Sequence, residues 1–192
     1  MSNAQAVKKK TKLQVTDLAY IAMGASLIAI CSWISIPTTV PFTLQTFAVF
    51  FVLLLLGGER GTLAALVYVL LGAVGVPVFS GFSGGIGVLL GNTGGYILGF
   101  LFVGLIYMLF MKIFKKNIYI KIAALVLGLL VCYVFGTAWF MYVYMQNTGE
   151  IGLIAVLNLC VFPFIIPDLV KMAIAVVIAK RIGPVINKTF SR

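Results

Sequence analysis

The sequence predicts an all-α membrane protein, a compact bundle of six transmembrane helices with both termini in the cytoplasm and a ligand site near the outer face. Three observations carry that prediction. First, 62% of the 192 residues are hydrophobic and 9% are charged, whereas roughly a quarter of a soluble globular chain is charged; mean hydropathy is +1.18. Second, several apolar runs approach or exceed the ~20 residues that a helix needs to cross the hydrocarbon core. Third, the basic residues gather in alternate connections, as the positive-inside tendency of cytoplasmic loops predicts.

Residues 1–15 form a basic cytoplasmic segment, and 18–36 is the first span. The second and third spans, 44–57 and 63–76, are short. They either stay buried among their neighbours or bend sharply at Gly57-Gly58-Glu59-Arg60-Gly61. The fourth, fifth and sixth are 94–114, 118–145 and 166–182. A further apolar segment, 151–162, is too brief to cross and stops at Pro163, with Pro167 close behind. It reads as an external helix or a re-entrant piece leading into the last span. The bundle is expected to occupy 16–185, with 186–192 a cytoplasmic tail. No internal repeat or linker divides it, so 1–192 reads as a single transmembrane domain. The basic N-terminal stretch leads into a run as long as a span and lacks a small-residue cleavage site, so the first helix is expected to be retained.

Orientation follows from the cations. Lys8, Lys9, Lys10 and Lys12 precede span one, Arg60 separates two from three, and Lys112, Lys115, Lys116 and Lys121 separate four from five. Lys180, Arg181, Lys188 and Arg192 end the chain, so in a six-span arrangement only Lys171 falls off the cytoplasmic side. The uncharged loops 37–43 and 77–93 are then external. The net charge of +10 is a topology signal with some attraction to anionic lipid headgroups, and needs no nucleic acid to explain it.

The exception matters most. Asp168 and Lys171 stand three residues apart in an otherwise apolar run, at a depth where each ionised group costs ~3 kcal/mol on insertion scales. At that spacing they share a helix face and can point into one cavity. A structural ion pair holding one helix against its neighbours is the competing explanation. Because the last span runs from outside to inside, the pair is expected in its outer third, open to the medium.

Absences narrow the function. There is no histidine, the commonest general base and metal ligand. Cys31, Cys132 and Cys160 show no Cys-x-x-Cys spacing and sit in apolar runs, which suits inert buried thiols. No phosphate-cradling glycine loop occurs, and Gly85-Ile86-Gly87 lacks the third glycine of a dinucleotide fingerprint. Asp17, Glu59 and Glu150 leave no second carboxylate beside Asp168 for acid–base work. The expectation is no enzyme, no cofactor and no metal site.

Two external loops hold the other unusual residues. In the first, Pro37 and Pro41 prevent regular helix and bring Phe42, Thr43 and Gln45 to the mouth of span two. The second, 75–96, is glycine-rich and uncharged. Non-helical backbone near membrane depth survives only where protein buries it or water reaches it, so this loop is expected to fold over the bundle as a lid with Asn92 pointing inward. Gly91 and Gly94, flanking Asn92-Thr93, read as loop or binding positions. Gly87, Gly91, Gly95 and Gly99 also recur every four residues, the pattern of close helix packing. Phe42, Phe79, Tyr96 and Trp139 suit either an apolar ligand or packing.

The strings Pro41-Phe42-Thr43-Leu44-Gln45-Thr46, Gly84-Gly85-Ile86-Gly87-Val88-Leu89-Leu90-Gly91-Asn92-Thr93-Gly94-Gly95-Tyr96 and Pro163-Phe164-Ile165-Ile166-Pro167-Asp168-Leu169-Val170-Lys171 occur in that order. In them the chain resembles the BioY family, the biotin-specific substrate-binding (S) components of energy-coupling factor (ECF) transporters. The resemblance implies high-affinity biotin capture from outside a prokaryotic cytoplasmic membrane, in partnership with a transmembrane coupling subunit and two cytoplasmic ATPase subunits. Biotin would be a transported ligand rather than a cofactor, and its chemistry agrees with the resemblance: an ionised Asp168 can accept the ureido N–H groups, and Lys171 or Asn92 can donate to the ureido carbonyl. The resemblance also implies that the small residues Ala22, Ala25, Ser26 and Ala29 of span one dock the coupling subunit, although ordinary helix packing explains the same residues. Two other functions fit the charged pair. A proton-coupled secondary carrier for a small polar metabolite can use Asp168 as its protonation site, although the inverted repeat of such carriers is not evident. An S component for a different vitamin is the other.

Overall fold

A computed structural model describes residues 14–114 and 117–190, with side chains placed as far as residue 184. Lys8, Lys9, Lys10, Lys12, Lys115, Lys116 and Arg192, on which the orientation partly rests, lie outside the described residues, as does the side chain of Lys188.

The helices are α1 (Val15–Trp33), α2 (Gln45–Ala73), α3 (Ile86–Leu90), α4 (Gly94–Ile113), α5 (Ile118–Asn147), α6 (Leu153–Cys160) and α7 (Phe162–Phe190). A small hairpin, β1 (Ser35–Ile36) and β2 (Phe42–Thr43), and a single 3-10 turn, Ser80–Phe82, complete the described regular structure. By length and composition five stretches can cross a membrane: α1, α2, α4, α5, and Leu153–Pro184, which joins α6 to α7.

That count differs from the expected six because the second and third spans form one helical element. Its interruption is Gly57, at φ 83° and ψ 174°, a conformation that essentially only glycine tolerates. The two arms, 45–56 and 58–73, fold back on each other there. A Cβ added to Gly61 would lie 2.9 Å from Leu53 Cα, whereas eight residues of straight helix rise ~12 Å. The sharp bend at the Gly57–Gly61 stretch is therefore realised.

Three boundaries move for local reasons. The first helix stops at Trp33, because Ser35 and Ile36 pair antiparallel with Thr43 and Phe42. Pro37 and Pro41 both lie within that short hairpin, where no helical N–H is lost. The segment after α5 ends at Val161, at φ −123° and ψ −60°, two residues before Pro163 rather than at it. The last helix then begins at Phe162, with Pro163 in its first turn, where a missing N–H costs nothing, and carries Pro167 inside.

Most of the charges sort to one end; Glu150, Asp168 and Lys171 do not. Asp17 is bonded by the Gln14 backbone N–H at 3.0 Å, closing the start of α1, and pairs with Arg60 at 2.7 Å. This pins the first turn of α1 to the bend of α2. Glu59 meets Lys112 of α4 at 3.4 Å nearby. The connections at the other end, 34–44 and 74–93, carry no charge.

Glycines decide how close the helices come, as expected where lipid offers no hydrophobic drive between them. A Cβ at Gly24 of α1 would lie 3.0 Å from the Cβ of Ala64 and 3.1 Å from Val52 Cγ1, so this helix is wedged against both arms of α2. Gly95 and Gly99 of α4 are packing positions, with Trp139 Cβ at 2.3 Å and Cys132 Sγ at 2.5 Å from their would-be methyl groups. Gly87, four residues earlier in the spacing than Gly91, has nothing within 4 Å, so the packing stripe does not extend to it. The last helix packs chiefly on α2, and α5 on α4.

Candidate functional site

The last helix carries Asp168 and Lys171 on the face turned toward α2, and both are buried, at 2% and 7% exposure. Lys171 Nζ donates to Asp168 Oδ1 at 2.9 Å. Thr46, in the first turn of α2, donates its hydroxyl to the same oxygen at 2.8 Å. Tyr133, in the middle of α5, donates to Asp168 Oδ2 at 2.7 Å. The carboxylate is thus held by donors from three helices, the arrangement that lets an ionised group survive in a dry interior. The ammonium is held as well: Lys171 Nζ also donates to Thr46 Oγ1 at 3.2 Å and sits 4.3 Å from the ring centroid of Phe42, a cation–π contact. Phe42 is fixed from below by Phe164, their centroids 5.7 Å apart. Among the described residues no buried side-chain polar atom lacks a partner, so the site is preorganised.

Beside this group lies a cavity of about 270 Å³. Asp168, Lys171, Thr46 and Tyr133 form its polar wall, while Phe79, Phe100, Ile97, Leu129 and Phe164 contribute to a largely apolar remainder. The two loops close it, through Val40, Pro41 and Thr43 from the hairpin and Phe79, Ser80 and Ser83 from the second loop. The loops are anchored to the bundle: Ser32 Oγ bonds the Val78 carbonyl at 2.5 Å, and the Trp33 indole bonds that of Pro77 at 2.9 Å. The tip of the Phe79 ring is pressed against Gly72, where an added Cβ would collide with its Cζ. Such a chamber can take an apolar body with a polar head carrying both N–H donors and a carbonyl acceptor.

Of the residues singled out in the sequence, the fold brings Thr43, Gln45, Phe79, Tyr96, Asp168 and Lys171 to this cavity. Gln45 donates its amide to Tyr68 Oη at 2.7 Å, and the Tyr96 and Thr137 hydroxyls share a 3.2 Å bond. Phe42 touches the site through Lys171 without lining the cavity. Asn92, Gly91 and Gly94 do not line it. Gly91 offers its carbonyl to the Trp139 indole at 3.0 Å. Gly94 is glycine because the Leu89 carbonyl would lie 1.7 Å from a side-chain carbon. Asn92 is half-buried in the turn between them. The stripe on α1 is split: Ala25 and Ala29 are buried in the core at 3% and 6% exposure, where helix packing explains them. Ala22 and Ser26 face outward.

Two site residues escaped sequence reading. Thr46 closes the first quoted string, but a threonine at a helix start reads as a turn residue. Tyr133 is one of eight tyrosines, and nothing near it in sequence points to an acid 35 residues on.

A family model described as the BioY family matches residues 5–188. The chain belongs to the BioY family. A biotin transporter BioY of Thermotoga maritima is 40% identical over 158 residues, covering 82% of this chain and 89% of that protein. A probable biotin transporter BioY of Pyrococcus horikoshii is 37% identical over 171 residues, covering 88% and 98%. Among solved structures, the S-component for biotin from an ECF-type ABC transporter superposes with a TM-score of 0.76 at 28% identity, covering 95% of this chain and 94% of that one. With five helical stretches long and apolar enough to cross a membrane, the chain is an integral membrane protein.

Proposed function

We propose that this chain is the biotin-binding S component of an ECF-type transporter, capturing the vitamin in the cavity beside Asp168 and Lys171 for uptake across a prokaryotic cytoplasmic membrane. The observation that carries the reading is the buried acid–amine pair facing an apolar chamber roofed by two loops. Biotin's ureido group needs an acceptor for its N–H groups and a donor for its carbonyl, and charge-assisted bonds to Asp168 and Lys171 supply both. Its fused rings fit against Phe79, Phe100 and Tyr96, leaving the tail to run toward the hydroxyls of Thr43, Ser80 and Ser83 at the loops.

In this reading both arms of α2 traverse the bilayer, which makes six crossings and places both termini in the cytoplasm, where Arg60, Lys112, Lys121, Lys180 and Arg181 gather. The site then opens outward. Energy comes from partners, a transmembrane coupling subunit and two ATPase subunits, because the chain has no nucleotide-binding loop of its own. The outward small residues Ala22 and Ser26 leave α1 open to close approach by a partner helix.

Isothermal titration of the detergent-purified protein tests the assignment. Biotin should bind tightly at one site per chain, and a panel of other vitamins should not displace it. No heat on biotin addition, or displacement by a different vitamin, overturns it.

A further inference from the structure

Outside the vitamin cavity the bundle has a second recess, a lateral groove of about 630 Å³ between α5, α6 and α7, lined by residues such as Leu130, Val134, Leu157, Ile165 and Leu169. It contains only two side-chain hydroxyls, Tyr133 and Thr137. Both are turned inward, to Asp168 and to Tyr96, so the groove presents an almost wholly apolar surface. Leu130, Val134 and Leu169 at its rim are exposed, in helices that span the membrane, so acyl chains are what meets it.

Tyr133 and Leu129 line both this groove and the vitamin cavity. They are the partition. The partition is needed because α7 packs chiefly on α2 and α5 on α4, leaving α5 and α7 splayed. Across that gap the Tyr133–Asp168 bond, at 2.7 Å, ties one helix to the other. We infer that Tyr133 is a positioning residue with two tasks: its hydroxyl orients Asp168 for the ligand, and its ring bars lipid acyl chains in the lateral groove from entering the vitamin cavity.

The two tasks separate by substitution. Tyr133→Phe keeps the ring and removes the bond; Tyr133→Ala removes both. The bond task rests on the biotin reading, and the barrier task does not.

For the barrier, the full chain is reconstituted with a phospholipid carrying a mid-chain diazirine, photolysed, and mapped by peptide mass spectrometry. Wild type and Tyr133→Phe should carry adducts on groove residues such as Leu130 and Leu157 and none on Ile97, Phe100 or Cys160. Tyr133→Ala should add adducts at those cavity positions. Cavity adducts in the wild type, or none in a Tyr133→Ala protein that still labels in the groove, overturn the barrier. For the bond, Tyr133→Phe should bind biotin at least tenfold more weakly at unchanged lipid labelling; unchanged affinity overturns it. A wild-type protein that ignores biotin defeats the functional reading instead, while the lipid labelling still decides the barrier.

Discussion

Removing the charges of Asp168 and Lys171 singly and together distinguishes a ligand site from a structural ion pair. Lys171→Met keeps the length and bulk of the side chain and leaves a buried carboxylate facing only the Thr46 and Tyr133 hydroxyls. Breaking one half of a buried pair costs ~3–5 kcal/mol, and with two neutral donors still in place the lower end applies, ~3 kcal/mol. At ~1.4 kcal/mol per tenfold, biotin should bind about 100-fold more weakly. Asp168→Asn strands the ammonium above Phe42 and should do the same. Both single variants should also lose thermal stability. The doubly substituted protein, Asp168→Asn with Lys171→Met, has no unpaired buried charge, and such neutral replacements are often tolerated. Its stability should therefore return to within ~1 kcal/mol of wild type, the strong non-additivity of residues in contact. Its affinity should stay about 100-fold weakened, because the polar head of the ligand has lost both ionic partners. Thermal unfolding with and without biotin, alongside calorimetric titration of all four proteins, measures both quantities. If affinity recovers together with stability, or either single variant binds biotin like the wild type, the pair is structural and the site lies elsewhere.

Gly72→Ala forces a methyl group into the Phe79 ring and should weaken biotin binding by tenfold or more, while Gly87→Ala, with open space around it, should bind as the wild type; titration of the two side by side checks this. Cys132 and Cys160 line the cavity and Cys31 does not, so saturating biotin should slow modification of the first two by a small water-soluble thiosulfonate at least tenfold and leave Cys31 unchanged, as read by mass spectrometry. Gly57→Ala places a side chain in a backbone region reserved for glycine and should cost ~1–3 kcal/mol of stability, seen as a lowered unfolding temperature. Ala22→Trp or Ser26→Trp, at outward positions of α1, should abolish co-purification with the coupling subunit while biotin titration is unchanged; loss of both would mean that the helix itself is disturbed.

Much of the site was legible because its signals are local. Asp168 and Lys171 announce themselves as charges in an apolar run, and Phe79 and Tyr96 as aromatics in or beside an uncharged loop. Asn92 differs from these, because it does not line the cavity. A polar residue set between glycines looks like a ligand contact, but Gly94 is glycine because the Leu89 carbonyl crowds it, and Gly91 gives its carbonyl to the Trp139 indole. The alanines of α1 left two readings open, since small residues at helical spacing permit close approach without saying to which helix.

By itself the sequence determined that this chain lives in a membrane, which stretch would allow a bend, and which two charges must be sheltered together. Each follows from composition, from a glycine-rich break, or from a spacing of three residues along one helix. Only the tertiary structure decided which groups shelter the pair. Thr46 and Tyr133 reach Asp168 across 122 and 35 residues of chain, and no local pattern encodes such distances. The packing of helices on glycine determines which side chains meet, and the burial of a charge then determines which of those meetings is tolerated.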